Sequence, residues 1–188
     1  MAYDLKSVFY LDTSATIAAA TAGAGSAQLD LSAYIDPIAR GRTKGTGLAV
    51  YKAHFVTSQG GNAEPIDDEE AGTFRAALLA GAGLGDVATG AGVDANGFRA
   101  TNNLLVASYD FYGPKSMVGN ACTTTDMYND MIKPSIQVPY VIVRDNVCLV
   151  YDVGDNMTAE TNLSVRLEVA QVSLDQATLN QLLRTQTV

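Results

Sequence analysis

His54 is the only histidine among the 188 residues, and so the one side chain whose ordinary titration range suits a base at neutral pH. A Ser-His-Asp or Cys-His arrangement would have to use it, yet no Gly-x-Ser-x-Gly turn or comparable motif accompanies it. It stands inside the extended stretch Leu48–Ser58, on a face that also carries Leu48, Val50, Lys52 and Val56. A structural histidine with a satisfied ring is the expectation there. The carboxylates Asp67, Asp68, Glu69 and Glu70 close the loop Gln59–Gly72 and invite a calcium reading. They lack the alternating spacing that wraps a loop around the ion. A helix start accounts for them more simply, since carboxylates favour the positive end of the helix dipole. Phe74, Ala77, Leu78 and Leu79 would then form the apolar stripe of a short helix; a strand over Phe74–Ala80 is the competing reading, and both stand. Gly81–Gly85 looks like a dinucleotide-binding turn, but no amphipathic helix follows it, so the cofactor reading is rejected. Cys122 and Cys148 form no Cys-x-x-Cys pair, and with one histidine no zinc set can be assembled. Whether the two cysteines join in a disulfide stays open. A glycosidase needs two carboxylates facing each other across a cleft, and nothing selects a pair here. The sequence therefore assigns no catalytic, cofactor-binding or metal-ligating residue, and no enzyme is expected.

Charge narrows the partners. Twelve basic residues against twenty acidic ones leave a net charge of −8. The densest basic stretch is Arg40–Lys44, with Arg40, Arg42 and Lys44. Phosphate binding draws on clustered cations that release counterions, so direct nucleic-acid binding is not expected. Charged residues make up only 17 % of the chain, against a norm of about 25 %. Small uncharged polar residues take up the difference, and such a surface suits packing against neighbours because few ions must be desolvated. A secreted domain with a neutral surface is the alternative. The N-terminal residues lack the basic start and apolar run of a signal peptide, so synthesis and folding in a cytoplasm are expected.

The elements that must position these residues read as strands. Asn162–Gln171 places Leu163, Val165, Leu167 and Val169 at every second position, the mark of a half-buried antiparallel strand. Further strands are predicted over Ser7–Leu11, Gln28–Ile35, Leu48–Ser58, Asn103–Tyr112, Pro139–Val143 and Val147–Val153. In Leu48–Ser58 the face opposite His54 carries Ala49, Tyr51, Ala53 and Phe55. Ala18–Ser26 reads as a turn or crossing, Ile38–Gly47 as a basic loop and Ala80–Gly97 as a long glycine-rich loop. Arg144-Asp145-Asn146 reads as a hairpin connection, Gly154-Asp155-Asn156 as a turn, and Asp126–Ile132 as a short helix in an irregular region. A terminal helix over Ser173–Arg184 is capped by Ser173 in a box completed by Gln176. The fold class is thus all-β: one domain, residues 1–188, an antiparallel β-sandwich of jelly-roll type with about eight strands, long loops and a short C-terminal helix.

Leu29–Asp36, with its basic turn into Leu48–Ser58, and the Tyr140–Tyr151 segment followed by Asn-Leu-Ser-Val-Arg-Leu-Glu-Val, resemble the small single-jelly-roll capsid proteins of icosahedral viruses. The resemblance implies a structural subunit that assembles with copies of itself into a shell. Its location would be the virion, after synthesis in a host cytoplasm. A second capsid, vertex or spike protein would be a further partner. Many such proteins carry a basic N-terminal arm against the genome, whereas the first 39 residues here hold one basic residue, Lys6. The resemblance then implies a genome insulated by another protein or by an internal viral membrane lying near the shell. Met1–Ser26, Gly60–Gly97 and Asp175–Val188 are the expected inter-subunit contacts, so removing the tail should impair assembly more than folding. The alternative is a carbohydrate- or receptor-binding module of a fibre, spike or adhesin, with Tyr109, Phe111 and Tyr112 as candidate ligand aromatics; their other role is core packing.

Overall fold

The chain folds as one long antiparallel hairpin wrapped into two layers. The computed structural model describes residues 8–36, 44–67, 69–81, 98–114, 126–127 and 133–186. Its strands are β1 (Val8–Ile17), β2 (Gly23–Asp30), β3 (Lys44–Gln59), β4 (Thr73–Ala80), β5 (Leu105–Tyr112), the two-residue β6 (Asp126–Met127), β7 (Tyr140–Ile142), β8 (Asn146–Asp155) and β9 (Thr161–Asp175). One helix, α1 (Gln176–Thr185), follows β9 directly. Working inward from the ends, β1 pairs with β9, β2 with β8, β3 with β7, and β4 with β5, all antiparallel. Wrapping this double ladder brings β9 against β3 and β8 against β4. The result is one sheet ordered β1-β9-β3-β7 and a second ordered β2-β8-β4-β5-β6. That strand order is a jelly roll.

The core lies between the sheets. Leu163, Val165, Leu167 and Val169 of β9 point inward beside Leu48 and Val50 of β3, facing Phe74, Leu78, Phe111 and Leu149 of the other sheet. Each such side chain, fully buried, contributes about 1.5–3 kcal/mol. The inward set of β3 changes phase midway. Val50 pairs with Val169 but Lys52 pairs with Glu168, so Tyr51 is an extra residue in a β-bulge. Leu48 and Val50 face the core before it, and Ala53 and Phe55 after it. Strict alternation through Leu48–Ser58 puts Ala53 and Phe55 on the face of Ala49 and Tyr51; the bulge overturns that grouping.

A second apolar cluster sits on the outer face of the first sheet. Ala49, Tyr51, Val141, Val143, Ala170, Val172 and Leu174 are covered there by Leu179 of α1, with Leu182 and Leu183 alongside. Gln186 fastens the end of the helix: its amide donates to the Val141 carbonyl at 2.6 Å and its side-chain oxygen accepts from the Val143 N–H at 3.1 Å. The helix cap is Asp175, whose carboxylate accepts the Thr178 N–H at 2.7 Å, and not Ser173, which is still in β9. That bond holds the Asp175 carboxyl below its ordinary range.

Several boundaries differ from the sequence reading for physical reasons. Phe74–Ala80 is strand: β4 lies between β8 and β5, and almost all of it is buried on both faces. Such a strand shows no alternation, which is why its Ala and Leu also fitted a helix. Gly23–Ser26, read as a crossing, pairs with β8, while Leu31 begins a turn instead of continuing β2. Lys44–Gly47, read as loop, opens β3 opposite Val172, Ser173, Leu174 and Asp175. Gly154 and Asp155 belong to β8. Arg144-Asp145-Asn146 is no hairpin, because β7 and β8 lie in different sheets and the segment crosses between them. Asp126 and Met127 pair with β5 as strand; the rest of the helix expected there falls outside the described residues.

The loops at one end are knotted by Glu70, fully buried. Its carboxylate accepts backbone N–H groups from Gly72 at 2.7 Å, Thr158 at 2.8 Å and Ala159 at 3.2 Å, tying the β3–β4 loop to the β8–β9 loop. Gly113 donates its N–H to the Gly72 carbonyl at 2.8 Å, and a Cβ on Gly113 would overlap the backbone carbonyl of Glu70. Backbone cannot swing aside as a side chain can. Gly113→Ala is therefore expected to lose about 1–3 kcal/mol, seen in a thermal melt as a clear fall in Tm; an unchanged Tm would contradict this packing.

Candidate functional site

The residues singled out for chemistry are dispersed, and most are occupied structurally. His54 Nε2 lies 2.8 Å from Glu168 Oε1. The nearby Ser164 hydroxyl donates to the Val56 carbonyl at 3.2 Å and is not paired with the imidazole. Of the four carboxylates, Glu70 is the buried clasp just described, and Asp67 accepts the Glu69 N–H at 3.0 Å; Asp68 lies outside the described residues. Among the described residues, no three His, Cys, Asp or Glu side chains converge as a metal set. Cys148 is a buried free thiol, pushed up in pKa by burial. Cys122, Arg40, Arg42 and Gly83 and Gly85 lie outside the described residues, as do most of the glycine-rich loop and the first seven residues. Tyr109 and Phe111 are core: Tyr109 stacks on Phe55 at 5.4 Å between ring centres, and Phe111 on Phe74 at 5.0 Å. Tyr112 is half-buried.

What the topology does assemble is an open surface on the outer face of the first sheet. The half over β7 and the start of β3 is covered by α1; the half over β1, β9 and the rest of β3 is not. Register places Tyr10, Glu168 and Lys52 in one row across the three strands, Asp12, Arg166 and His54 in the next, and Ser14, Ser164 and Val56 in the third. The His54–Glu168 contact is the diagonal between the first two rows. A depression of about 700 Å³ runs over this grid. Its chemistry is mixed charge framed by apolar side chains: Val8, Tyr10 and Val56 are 56 %, 61 % and 57 % exposed. Tyrosine and arginine beside exposed aliphatics suit a protein contact better than a reaction.

A second exposed apolar feature precedes β7. Ile136 and Val138 are 78 % and 75 % exposed. They are displayed by a turn in which the Ser135 N–H donates to the Val138 carbonyl at 3.2 Å and the Val138 N–H donates to Ser135 Oγ at 3.1 Å. Pro134 is buried and Pro139 half-buried, so the tip is bracketed by prolines. Its signal in the sequence is Pro-Ser-Ile-Gln-Val-Pro, two apolar residues in step between two prolines.

On the outer face of the other sheet, Arg75 makes a two-pronged ion pair with Asp110, at 2.6 and 2.8 Å, with Asp152 in register on its other side. The bond to Asp110 raises the Arg75 guanidinium further above its ordinary range. Phe98 and Tyr112 line the same shallow depression of about 330 Å³. Cross-strand pairing accounts for the ion pair without a ligand.

No family model matches the chain, and no curated protein does. Among solved structures, the chain is similar to one of turnip yellow mosaic virus, at 11 % identity and a TM-score of 0.35, over 89 % of this chain and 93 % of that one. A structure of the same virus at 100 K shows 12 % identity and a TM-score of 0.28, over 90 % and 94 % of the two chains. At these scores neither likeness bears on function; the jelly roll rests on the strand order itself.

Tyr140 holds the proline-bracketed turn to the body. Its hydroxyl donates to the Asn103 carbonyl at 2.6 Å, and burial pushes its phenol up to about 12 from an ordinary 10.0. The fold thus favours the neutral phenol: its contribution is complete below the unfolded value and is lost as pH rises through the folded one. Tyr140→Phe should cost about 1 kcal/mol at neutral pH and move the alkaline limb of the unfolding curve upward. An alkaline limb identical to that of the parent chain would count against this.

Proposed function

We propose that this chain is a structural subunit of an icosahedral viral capsid, working by tiling copies of its jelly roll into a closed shell. The observation that carries the reading is the open outer sheet face: a rigid two-layered body with exposed Val8, Tyr10 and Val56 set among ionisable side chains, where a free monomer would be expected to show polar residues. The jelly roll supports it by analogy of fold, since capsid and lectin domains share this architecture. The site chemistry points the same way, because His54 and Ser164 are spent on Glu168 and the Val56 carbonyl.

In this reading the virion is where the protein resides, copies of itself are its principal partner, and a second capsid, vertex or spike protein and an internal membrane are further neighbours. The Arg75–Asp110 depression beside Phe98 and Tyr112 favours the second reading, a carbohydrate- or receptor-binding module. Light scattering and electron microscopy of the purified chain separate the two: closed particles of uniform diameter are expected, and a chain that stays monomeric under all assembly conditions while binding a glycan would replace the first reading with the second.

The tail has a double role in this proposal. Because α1 seals Ala49, Tyr51, Val172 and Leu174 of its own chain, removal of residues 175–188 should strip the fold as well as the shell. Losing Leu179 alone would cost about 2–5 kcal/mol. The truncated chain is expected to melt well below the full-length protein; particle loss with an unchanged Tm would restore the tail to a purely inter-subunit role.

A further inference from the structure

The five large apolar side chains left exposed among the described residues fall into two groups on one sheet. Val8 and Tyr10 stand on β1, the first edge, with Val56 two strands away on the same face. Ile136 and Val138 stand on the turn that leads into β7, the other edge. β7 enters the sheet opposite Val50, so the turn reaches it from the end of β3 that carries His54 and Val56. The two groups therefore share a level along the strands. They do not meet within one chain, where Ile136 and Val138 stay exposed.

We propose that these groups are the two halves of a head-to-tail contact: the Ser135–Val138 turn of one copy seats Ile136 and Val138 in the depression over Tyr10, Asp12, His54, Val56, Arg166 and Glu168 of the next. The occupant is a second copy of this chain. A contact between two different patches repeats around a ring when the rotation closes, which is how side-by-side sheets become a capsomer. Three observations specify the turn as the inserting group. It is the most exposed apolar element, it is held in shape by its own two hydrogen bonds, and its prolines and the Tyr140 hydroxyl fix its base, so little entropy is lost on docking. The depression, at about 700 Å³, has room for two aliphatic side chains, with Tyr10 and Val56 on either side of its charged middle row. His54, Glu168, Arg166 and Asp12 then orient the neighbour, while the apolar pair supplies the affinity.

The proposal rests on the shell reading and is tested beside it. Ile136→Asp with Val138→Asp removes the turn's apolar tip; Tyr10→Asp with Val56→Asp spoils the receiving face. All four positions are more than half exposed, so both double variants should melt like the parent chain. Each alone should require at least about tenfold more protein to assemble, the loss expected for leaving two aliphatics in water. Mixed in equal amounts, the two variants retain one good turn and one good face between them. Sedimentation velocity should then show a one-to-one pair and nothing larger. Parent-like assembly by the turn variant overturns the contact and leaves the shell reading intact. A mixture that yields no pair also overturns it. A parent chain that forms no oligomer in any condition overturns both.

Discussion

The fold depends on β9 being paired on both sides along two thirds of its length. Its fifteen residues run against β3, and ten of them against β1. This ladder joins the last strand of the chain to the first and the third, so it cannot form until most of the polypeptide has been brought together. Non-local pairing of this kind is slow to form and cooperative once made. The inward row Leu163, Val165, Leu167 and Val169 fixes its register, since a slip of one residue would turn that row to water. Everything else in the first sheet takes its position from this strand, including the rows of charge on the outer face.

A strand paired on both sides still has two faces, and β9 uses them differently along its length. Toward its C-terminal end the outward residues Ala170, Val172 and Leu174 are apolar and lie under α1. Toward its start the outward residues Ser164, Arg166 and Glu168 are polar and lie open. One half of the sheet is closed by the chain's own helix, and the other half stays open.

Much of this was legible in the residues. The alternation of Asn162–Gln171 announced a two-faced strand, and β-branched and aromatic runs located most of the others. The misses share a cause: they are features set by what lies opposite, which a linear pattern does not contain. Tyr51 bulges because β9 pairs around it, and nothing in Val50-Tyr51-Lys52 marks the extra residue. β4 reads equally well as helix because burial on both faces removes alternation. Glu70 looks like one more acid in a run of four, yet it is the one taken inside, because Thr158 and Ala159, nearly ninety positions away, present their amides there. Asp175 displaced Ser173 as the cap because β3 keeps Ser173 in the ladder, opposite Thr46. The loss of the hairpin at Arg144–Asn146 is topological, and the jelly roll had to be known before that crossing could be.

The bulge at Tyr51 also bears on how this gene can change. Leu48 and Val50 are out of phase with Ala53 and Phe55, and only the additional residue reconciles the two runs. An in-frame loss of one codon at this point would leave a chain of ordinary composition whose middle strand could satisfy either end of the interior but not both. Substitutions along β3 can be graded in their effect, whereas a three-nucleotide deletion here is all-or-nothing.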